Sequence, residues 1–331
     1  MKRHFASALM ATTLAACGGG GGTASAPVAV VPAAPTPTPT PAPAPTPTPT
    51  PTPTATPLAY ARFADLTGDQ RFQTSCAALT LMGEPSTALP ATPFGDGFTL
   101  SYTAATGGYT VAGDGLNLGF AATDRDAGVA LPARAYAQSS SGYARTLLLS
   151  TPTAAGGTLE YGQAFALHAQ GNGSDLIYQC VFGVPTLLTD APTRSTFSFA
   201  RAGIGGSAYI TVGGITRAYA LDSSTATLGL DLTRGEVTVT IHLLGTSQDT
   251  GSGAAPVELG TYRSTATIDG VKGSYYGQLV STDRTTESSH LGGWFFGPQI
   301  REGAYSFDIV ATDPASGARI AAVGPCVAIQ N

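Results

Sequence analysis

The chain has 331 residues, of which 42 are glycine, 24 are proline and only 11% are charged. Its formal net charge of −5 excludes a protein that relies on a basic surface to bind nucleic acid. The length is sufficient for one large domain or two small domains with a good hydrophobic core.

The N-terminus carries the pattern of an export signal. Lys2 and Arg3 precede an apolar run that is shorter than the about 20 residues of a transmembrane helix. The run stops at a Leu-Ala-Ala-Cys sequence ending in Cys17, which resembles a lipobox. We therefore expect residues 1–16 to be a lipoprotein signal peptide and Cys17 to carry fatty-acyl chains such as palmitate. The alternative is an ordinary secretory signal with a chance cysteine.

Cleavage before Cys17 would change the net charge from −5 to −7, because Lys2 and Arg3 leave with the signal. The residue after the cysteine is Gly18 rather than aspartate. By analogy with the lipoprotein sorting rule, this favours the outer membrane, with the cell surface expected and the periplasmic face as the alternative.

Residues 17–58 read as a linker. Gly18–Gly22 is followed by Ala26–Pro57, in which proline alternates with threonine or alanine. Proline fixes φ and lacks an N–H donor, so we expect polyproline II, reaching roughly 100 Å at about 3.1 Å per residue. One interpretation is that the linker holds the folded part beyond a crowded layer at the cell surface. The alternatives are a tether without a specific role and a segment recognised by a proline-binding partner.

The remaining sequence alternates with the period of β-strands, and no stretch of ten residues or more has helical spacing. Leu159, Tyr161, Phe165 and Leu167, for example, are predicted to share one face of a strand. Other strands are predicted in the same half of the chain: Phe98–Thr103, Tyr109–Val111, Leu116–Phe120 and Thr146–Leu149.

The C-terminal part contains the clearest hairpin, from Thr225 to Leu244. Leu228, Leu230 and Leu232 alternate with polar or small residues before a turn at Gly235, and alternation then resumes. Further strands are predicted after it: Leu259–Ile268, Lys272–Val280, His290–Phe296, Ala304–Ala311 and Arg319–Ile329. With a strand ending near Leu221, about eight antiparallel strands result, enough to close a small barrel.

One motif in this part carries a resemblance. It comprises Gly293, Trp294, Phe295, Phe296, Gly297, Pro298 and, after three residues, Glu302. The motif resembles the Gly-x-Phe-Tyr-Gly-Pro signature of the transferrin-binding protein B β-barrel family, and the hairpin and Gly273–Gly277 are similar to other strands of that family. Two departures are Ile300 in place of a small residue and a turn one residue shorter after Glu302.

The resemblance implies an all-β fold, with a β-rich handle-like domain over residues 59–193 and an eight-stranded antiparallel barrel over residues 194–331. Trp294 and Phe296 would alternate with Phe295, and Pro298 would end the strand. We expect the motif to be structural, with Trp294 in the core and Glu302 binding backbone N–H groups of the following turn.

Three cysteines remain if Cys17 is acylated. Cys76 and Cys180 both lie in the first predicted domain, and we expect them to pair in an oxidising compartment. Cys326 would be a buried thiol or the true partner of one of the others. No Cys-x-x-Cys sequence is present, which argues against structural zinc.

No catalytic motif is found, so an enzyme is not expected. His242 lies on the polar face of its strand and is interpreted as solvent-facing. Asp124–Gly128 is interpreted as a turn rather than half of a calcium loop. Tyr275 and Tyr276 would ligate iron or haem only if the barrel were open, and eight strands leave little room. No metal and no cofactor is predicted.

We therefore expect a lipid-anchored outer-membrane lipoprotein that binds a protein through loops of the handle and barrel. Relatives in the family bind host transferrin, haemoglobin or complement factors, often beside an outer-membrane receptor. An iron- or haem-carrying protein is thus the partner that the resemblance implies. The alternatives are an adhesion or structural lipoprotein without a soluble ligand, and a carrier of haem or lipid.

Overall fold

The computed structural model describes residues 60–82, 86–154, 157–171, 173–190, 192–199, 201–249 and 255–330. The predicted signal peptide, Cys17 and the linker lie outside these residues. The described residues belong to one compact unit, so the predicted boundary at residue 193 stays a prediction. They contain strands and three short 3-10 helices but no α-helix, which confirms the all-β class. None of their helices has the length and apolar character to cross a membrane.

The handle contains the first 13 strands, with 3-10 helices at Phe63–Asp65 and Ala122–Asp124. The strands are β1 (Gln70–Gln73), β2 (Ser75–Thr80), β3 (Thr87–Leu89), β4 (Thr99–Thr103), β5 (Gly108–Gly113), β6 (Leu116–Phe120), β7 (Arg125–Asp126), β8 (Arg134–Ser140), β9 (Tyr143–Ser150), β10 (Thr153–Ala154), β11 (Gly157–Thr158), β12 (Gly162–Gly171) and β13 (Ser174–Gly183).

The barrel contains the remaining strands, with a 3-10 helix at Pro298–Ile300. The strands are β14 (Thr196–Phe199), β15 (Arg201–Ile204), β16 (Ser207–Val212), β17 (Ile215–Ala220), β18 (Thr225–Asp231), β19 (Glu236–Ser247), β20 (Val257–Ile268), β21 (Tyr275–Gln278), β22 (Val280–Ser281), β23 (Thr285–Phe296), β24 (Glu302–Thr312) and β25 (Arg319–Ile329).

The handle is a sandwich of two antiparallel sheets. The four-stranded sheet has the order β1-β4-β5-β6, and the seven-stranded sheet has the order β3-β2-β13-β12-β9-β8-β7. Leu100 and Val111 from the first sheet belong to the same buried cluster as Leu147, Phe165 and Leu167 from the second. The alternation of apolar residues along these strands thus places one face of each sheet in a common core.

A disulfide joins Cys76 and Cys180, the pair expected from the sequence. The two residues lie directly opposite each other on β2 and β13 and face the core of the sandwich. Cys326 is a free, buried thiol on β25, and its removal from water raises its pKa to about 12. This pKa keeps Cys326 protonated at neutral pH.

The barrel wall closes on itself. Eight strands pair in the order β16, β17, β19, β20, β21, β23, β24 and β25, and β25 pairs again with β16. β18 pairs with β19 and β14, and β15 pairs with β25. A closed ring leaves no unpaired edge along these strands.

Large side chains fill the barrel interior. Phe199, Tyr262, Tyr275, Phe295 and Phe307 all lie in one buried cluster there. The Tyr275 hydroxyl donates to the carbonyl of Ala304 at 3.0 Å, and burial raises the pKa of Tyr275 well above its ordinary value. Tyr275 is therefore a packed core residue rather than an exposed iron ligand.

Strand β24 shows how the handle is attached. Tyr305, Phe307 and Ile309 point into the barrel. The alternate residues, among them Ala304 and Val310, lie in clusters shared with handle residues. Because side chains alternate across a strand, one strand contributes to both the barrel core and the junction with the handle.

Three predicted elements differ from the structure. Leu159 and Tyr161 do not share a face with Phe165 and Leu167, because the strand begins only at Gly162 and the two earlier residues pack at the barrel junction. The strand predicted from Lys272 begins at Tyr275 and is interrupted at Leu279, since 269–274 forms a turn.

The third difference is in the hairpin. Leu228 and Leu230 are buried as predicted, but Leu232 lies after the end of β18 and is 37% exposed. Asp231 Oδ1 accepts the N–H groups of Thr233 and Arg234 at 2.9 and 3.1 Å, which turns the chain away from the barrel core at that point.

Candidate protein-binding surface

The connections between the antiparallel strands lie at two opposite ends of the described unit. The chain enters at Tyr60, whose hydroxyl accepts the N–H of Leu187 at 2.9 Å and whose ring packs edge-on against Tyr161. Thr186 is in turn bonded to the carbonyl of Phe295, near the end of β23. We call this the entry end; it also carries the turns at 232–235 and 269–274.

The opposite end, which we call the loop end, gathers connections from both the handle and the barrel. They join β2 to β3, β8 to β9, β12 to β13, β16 to β17, β19 to β20, β22 to β23 and β24 to β25. The registers of Thr312 with Arg319, Thr211 with Arg319, and Thr285 with Thr312 place the barrel connections together. A surface made of loops on a rigid β-scaffold is typical of protein-binding sites.

Arg319 connects the handle and barrel parts of the loop end. Its guanidinium donates to the carbonyl of Ser86, next to β3, and lies 3.3 Å from the carboxylate of Glu287 on β23. The handle connection also reaches β13, because Leu81 N–H donates to Asp175 O at 2.8 Å. These contacts hold the described residues on either side of the β2–β3 connection against the barrel and β13.

Exposed apolar side chains lie at this end. Val212 and Ile215 face each other at the tip of the β16–β17 hairpin and are 50% and 64% exposed. The two residues between them, Gly213 and Gly214, both have positive φ, as a tight hairpin turn requires. Met82 on the handle side is 53% exposed. Apolar side chains held out on a rigid turn are suited to anchor a protein interface.

Acidic side chains at the loop end have hydrogen-bonding partners. His168 Nε2 lies 2.6 Å from Asp175, and His242 Nε2 lies 2.6 Å from Glu258. The Ser316 hydroxyl and the Ala315 N–H bond Asp313 and hold its pKa below the usual range, so the β24–β25 turn is closed around a carboxylate. Because these carboxylates are already bonded, we expect recognition by shape and apolar contact more than by long-range attraction.

The predicted motif lies at the junction with the handle and not at the loop end. Trp294 is partly buried, with its ring 4.9 Å from that of Phe94, and Phe296 also packs against Phe94. Phe295 points the other way, into the barrel core. The alternation predicted for the three aromatic residues is confirmed, and β23 ends at Phe296, before Pro298.

Two glycines of the motif permit close approach. A Cβ on Gly293 would meet the carbonyl of Ala304 and the ring of Tyr275. Gly297 has a φ of 72°, and a Cβ there would meet the ring of Tyr161 from the handle. The motif therefore shapes the contact between β23, β24 and the handle.

The prediction for Glu302 was wrong about its partners. Its carboxylate does bind backbone N–H groups, but those of Glu160, Tyr161 and Gly162, at 2.6, 3.0 and 2.7 Å, and not those of the following turn. Burial raises the pKa of Glu302, although the three N–H groups act in the opposite direction. Glu302 thus attaches the barrel to the handle across about 140 residues of sequence.

Sequence reasoning missed a second buried carboxylate at this junction. Asp308 Oδ1 accepts the N–H of Ala91 at 2.7 Å and that of His290 at 3.1 Å, and Asp308 is fully buried. An aspartate between Phe307 and Ile309 in an apolar strand was the available signal, because a buried carboxylate requires partners.

The other residues singled out in the sequence lie apart. His242 is partly exposed and lies 2.6 Å from Glu258, on the polar face of its strand. Tyr276 is partly exposed and stacks on His290 at 5.8 Å. Asp126 Oδ1 accepts the N–H of Gly128, which closes the predicted turn. Among the described residues, no group of three or more histidine, cysteine or acidic side chains is arranged to hold a metal.

Comparison with known proteins gives matches in structure only. No protein-family model matches the chain, and no curated protein matches its sequence. A transferrin binding protein B double mutant from Haemophilus parasuis is 15% identical, with 78% of this chain and 45% of that chain covered and a TM-score of 0.41. The isotype 1 transferrin binding protein B from Neisseria meningitidis is 16% identical, with 78% and 43% covered and a TM-score of 0.41.

The apo haemoglobin receptor HpuA from Kingella denitrificans is 12% identical, with 80% of this chain and 86% of that chain covered and a TM-score of 0.34. The chain spans less than half the length of the two transferrin binding proteins. With TM-scores below 0.5, these likenesses assign no partner to this chain.

Proposed function

We propose that the chain is a lipid-anchored surface lipoprotein that binds another protein through the loop end. The main support for this proposal is that connections of the handle and the barrel meet at one end, where Met82, Val212 and Ile215 are exposed. The motif resemblance noted in the sequence supports the same class of function. The role proposed is binding rather than catalysis.

The position of Tyr60 supports this orientation. The chain reaches the described unit at the entry end, so a linker from an acylated Cys17 would attach there. The loop end is the opposite end and would be the part of the unit best placed to meet a partner. We propose the outer membrane as the location, with the unit on the cell surface.

The test uses two matched substitutions of exposed apolar residues. Ile215→Asp changes the loop end, and Val271→Asp changes the entry end, where Val271 is 83% exposed. The full chain and each variant are immobilised and exposed to host serum, and the captured proteins are identified by mass spectrometry. We expect one protein to be captured by the wild type and by Val271→Asp, and its capture to fall at least about tenfold with Ile215→Asp.

Equal capture by both variants would contradict the loop end as the binding surface. Weak, multivalent attachment to cells or polysaccharide, without a captured protein, would support the adhesion alternative. A carrier that would hold haem or lipid inside the barrel is disfavoured by the filled barrel interior. Protease shaving of intact cells and a Cys17→Ser variant test the anchor: the wild type should be cleaved in the linker, and the variant should be released from the membrane.

A further inference from the structure

A cavity lies in the handle. It has a volume of about 370 Å³ and is lined by residues of both sheets and of the 3-10 helix at Phe63–Asp65. Its walls include Phe72 and Tyr102 from the four-stranded sheet and Leu149 and Phe182 from the seven-stranded sheet. Sites for small molecules have volumes of this order.

Five aromatic rings contribute to the cavity wall. The rings of Phe63, Phe72 and Phe182 lie 5.3 to 5.5 Å from one another, and Tyr102 lies 4.9 Å from Tyr109. Aromatic pairs prefer tilted and edge-on arrangements, and a bound molecule with a ring could adopt such an arrangement against these side chains. The interior of the cavity is therefore suited to an apolar molecule, and an aromatic one in particular.

A cation stands at the same cavity. Arg134 donates through Nη1 to the hydroxyl of Tyr109 at 3.1 Å. Across the part of the chain that the structure describes, no carboxylate lies within 4.0 Å of its guanidinium. A guanidinium has five N–H donors in a planar fork that matches a carboxylate.

Several other polar groups of the wall already have partners. Gln163 is buried, its Oε1 accepts the Thr151 hydroxyl at 2.8 Å, and its Nε2 donates to the carbonyl of Gly162. The Gln70 amide donates to the carbonyl of Thr67 at 2.6 Å. Arg134 is thus the lining group with unused donors and a full charge.

We propose that this cavity binds a small apolar molecule that carries one carboxylate, with its apolar body among the aromatic rings and its carboxylate on Arg134. The site is separate from the loop end and does not depend on the protein partner proposed above. Charge complementarity selects the acid over a neutral molecule of the same shape.

Isothermal titration calorimetry on the full chain tests this with 4-phenylbutyrate and its neutral counterpart 4-phenylbutan-1-ol. We expect the acid to bind at least about tenfold more tightly than the alcohol, as a charge-assisted hydrogen bond predicts. Arg134→Gln should weaken the binding of the acid by about tenfold and leave the affinity for the alcohol unchanged. Arg145→Gln is the matched control, since Arg145 lies over Tyr143 at the other end of its strand pair.

A second variant, Ala64→Trp, places a large ring at the cavity wall from an exposed position, so that the fold is retained while the cavity is filled. Both probes should then lose binding, with an unchanged circular dichroism spectrum. The proposal is overturned if neither probe binds the wild type, if acid and alcohol bind equally, if Arg134→Gln binds the acid like the wild type, or if Ala64→Trp retains binding.

Discussion

The handle and the barrel are both antiparallel β-structures, but they are closed in different ways. The barrel is closed by hydrogen bonds, since its wall returns to its first strand, and its cysteine Cys326 is unpaired. The handle is an open sandwich, since each of its two large sheets ends in edge strands that do not pair with each other. A disulfide between β2 and β13 crosslinks it. In the seven-stranded sheet, one edge strand is β7, which has only two residues. The other edge strand is β3, which contacts β24 and β25 of the barrel.

The two regions obtain their stability from different sources. A closed ring with a filled interior is stabilised mainly by apolar packing. An open sandwich of similar strands depends more on covalent crosslinking and on protection of its edges. The junction follows a third pattern, in which the buried carboxylates of Glu302 and Asp308 bind backbone N–H groups.

The largest effect should come from the barrel core. Phe307→Ala removes a fully buried ring, and we expect the free energy of unfolding to fall by about 3–5 kcal/mol, because a cavity is left in a closed wall. Denaturant unfolding followed by tryptophan fluorescence measures this, since Trp294 packs against the barrel. A loss below about 1 kcal/mol would show that the barrel core collapses around the cavity.

The disulfide should come next. Replacing Cys76 and Cys180 together by alanine opens a loop whose ends are 104 residues apart, and we expect a loss of about 2–4 kcal/mol. Hydrogen exchange should increase in the handle strands more than in the barrel strands. The matched control is Cys326→Ala, which removes a cysteine without a crosslink; equal effects of the two changes would contradict the comparison.

The junction should give a smaller effect. In the wild type, both carboxylate oxygens of Glu302 accept backbone N–H groups. Glu302→Gln replaces one of these acceptors by an amide donor, so we expect the free energy of unfolding to fall by about 2 kcal/mol. Glu258→Gln, on an exposed glutamate paired with His242, should change the free energy of unfolding by less than about 1 kcal/mol. Similar losses for both would mean that the three N–H contacts of Glu302 contribute little.

The smallest effect concerns pH. Removal from water raises the pKa of Asp308 above 3.8, although the N–H of Ala91 and the neighbouring His290 act against it. A carboxyl group with a higher pKa in the folded chain binds its proton more tightly there, so its contribution to stability grows as the pH falls through that pKa. Relative to Asp308→Asn, the wild type should gain stability as the pH falls through the raised pKa of Asp308 towards 3.8.

Parallel denaturant titrations of the two proteins at each pH measure this difference. Groups common to both, such as Asp313 with its lowered pKa, cancel in the comparison. A difference that is constant with pH, or that shrinks on acidification, would contradict the raised pKa.

The strands could be predicted because alternation is a local property. Leu228 and Leu230 indicate a buried face within a few positions, and β25 has the predicted bounds. β20 and β23 end where predicted but begin earlier, at Val257 and Thr285. Boundaries were less accurate where a turn interrupts the pattern, as at Leu232 and Lys272, since side-chain bonds such as those of Asp231 are not visible in the periodicity.

The all-β class and the hairpin at Gly235 could be derived from the sequence alone, because each depends on short-range patterns. The sequence favoured the Cys76–Cys180 pair, but only the structure excluded Cys326 as a partner. Tertiary structure alone decided the partners of Glu302, the burial of Asp308 and the meeting of handle and barrel loops around Arg319. Those contacts join residues 140 to 233 positions apart, and local spacing carries no information about which distant backbone groups a folded sheet will present.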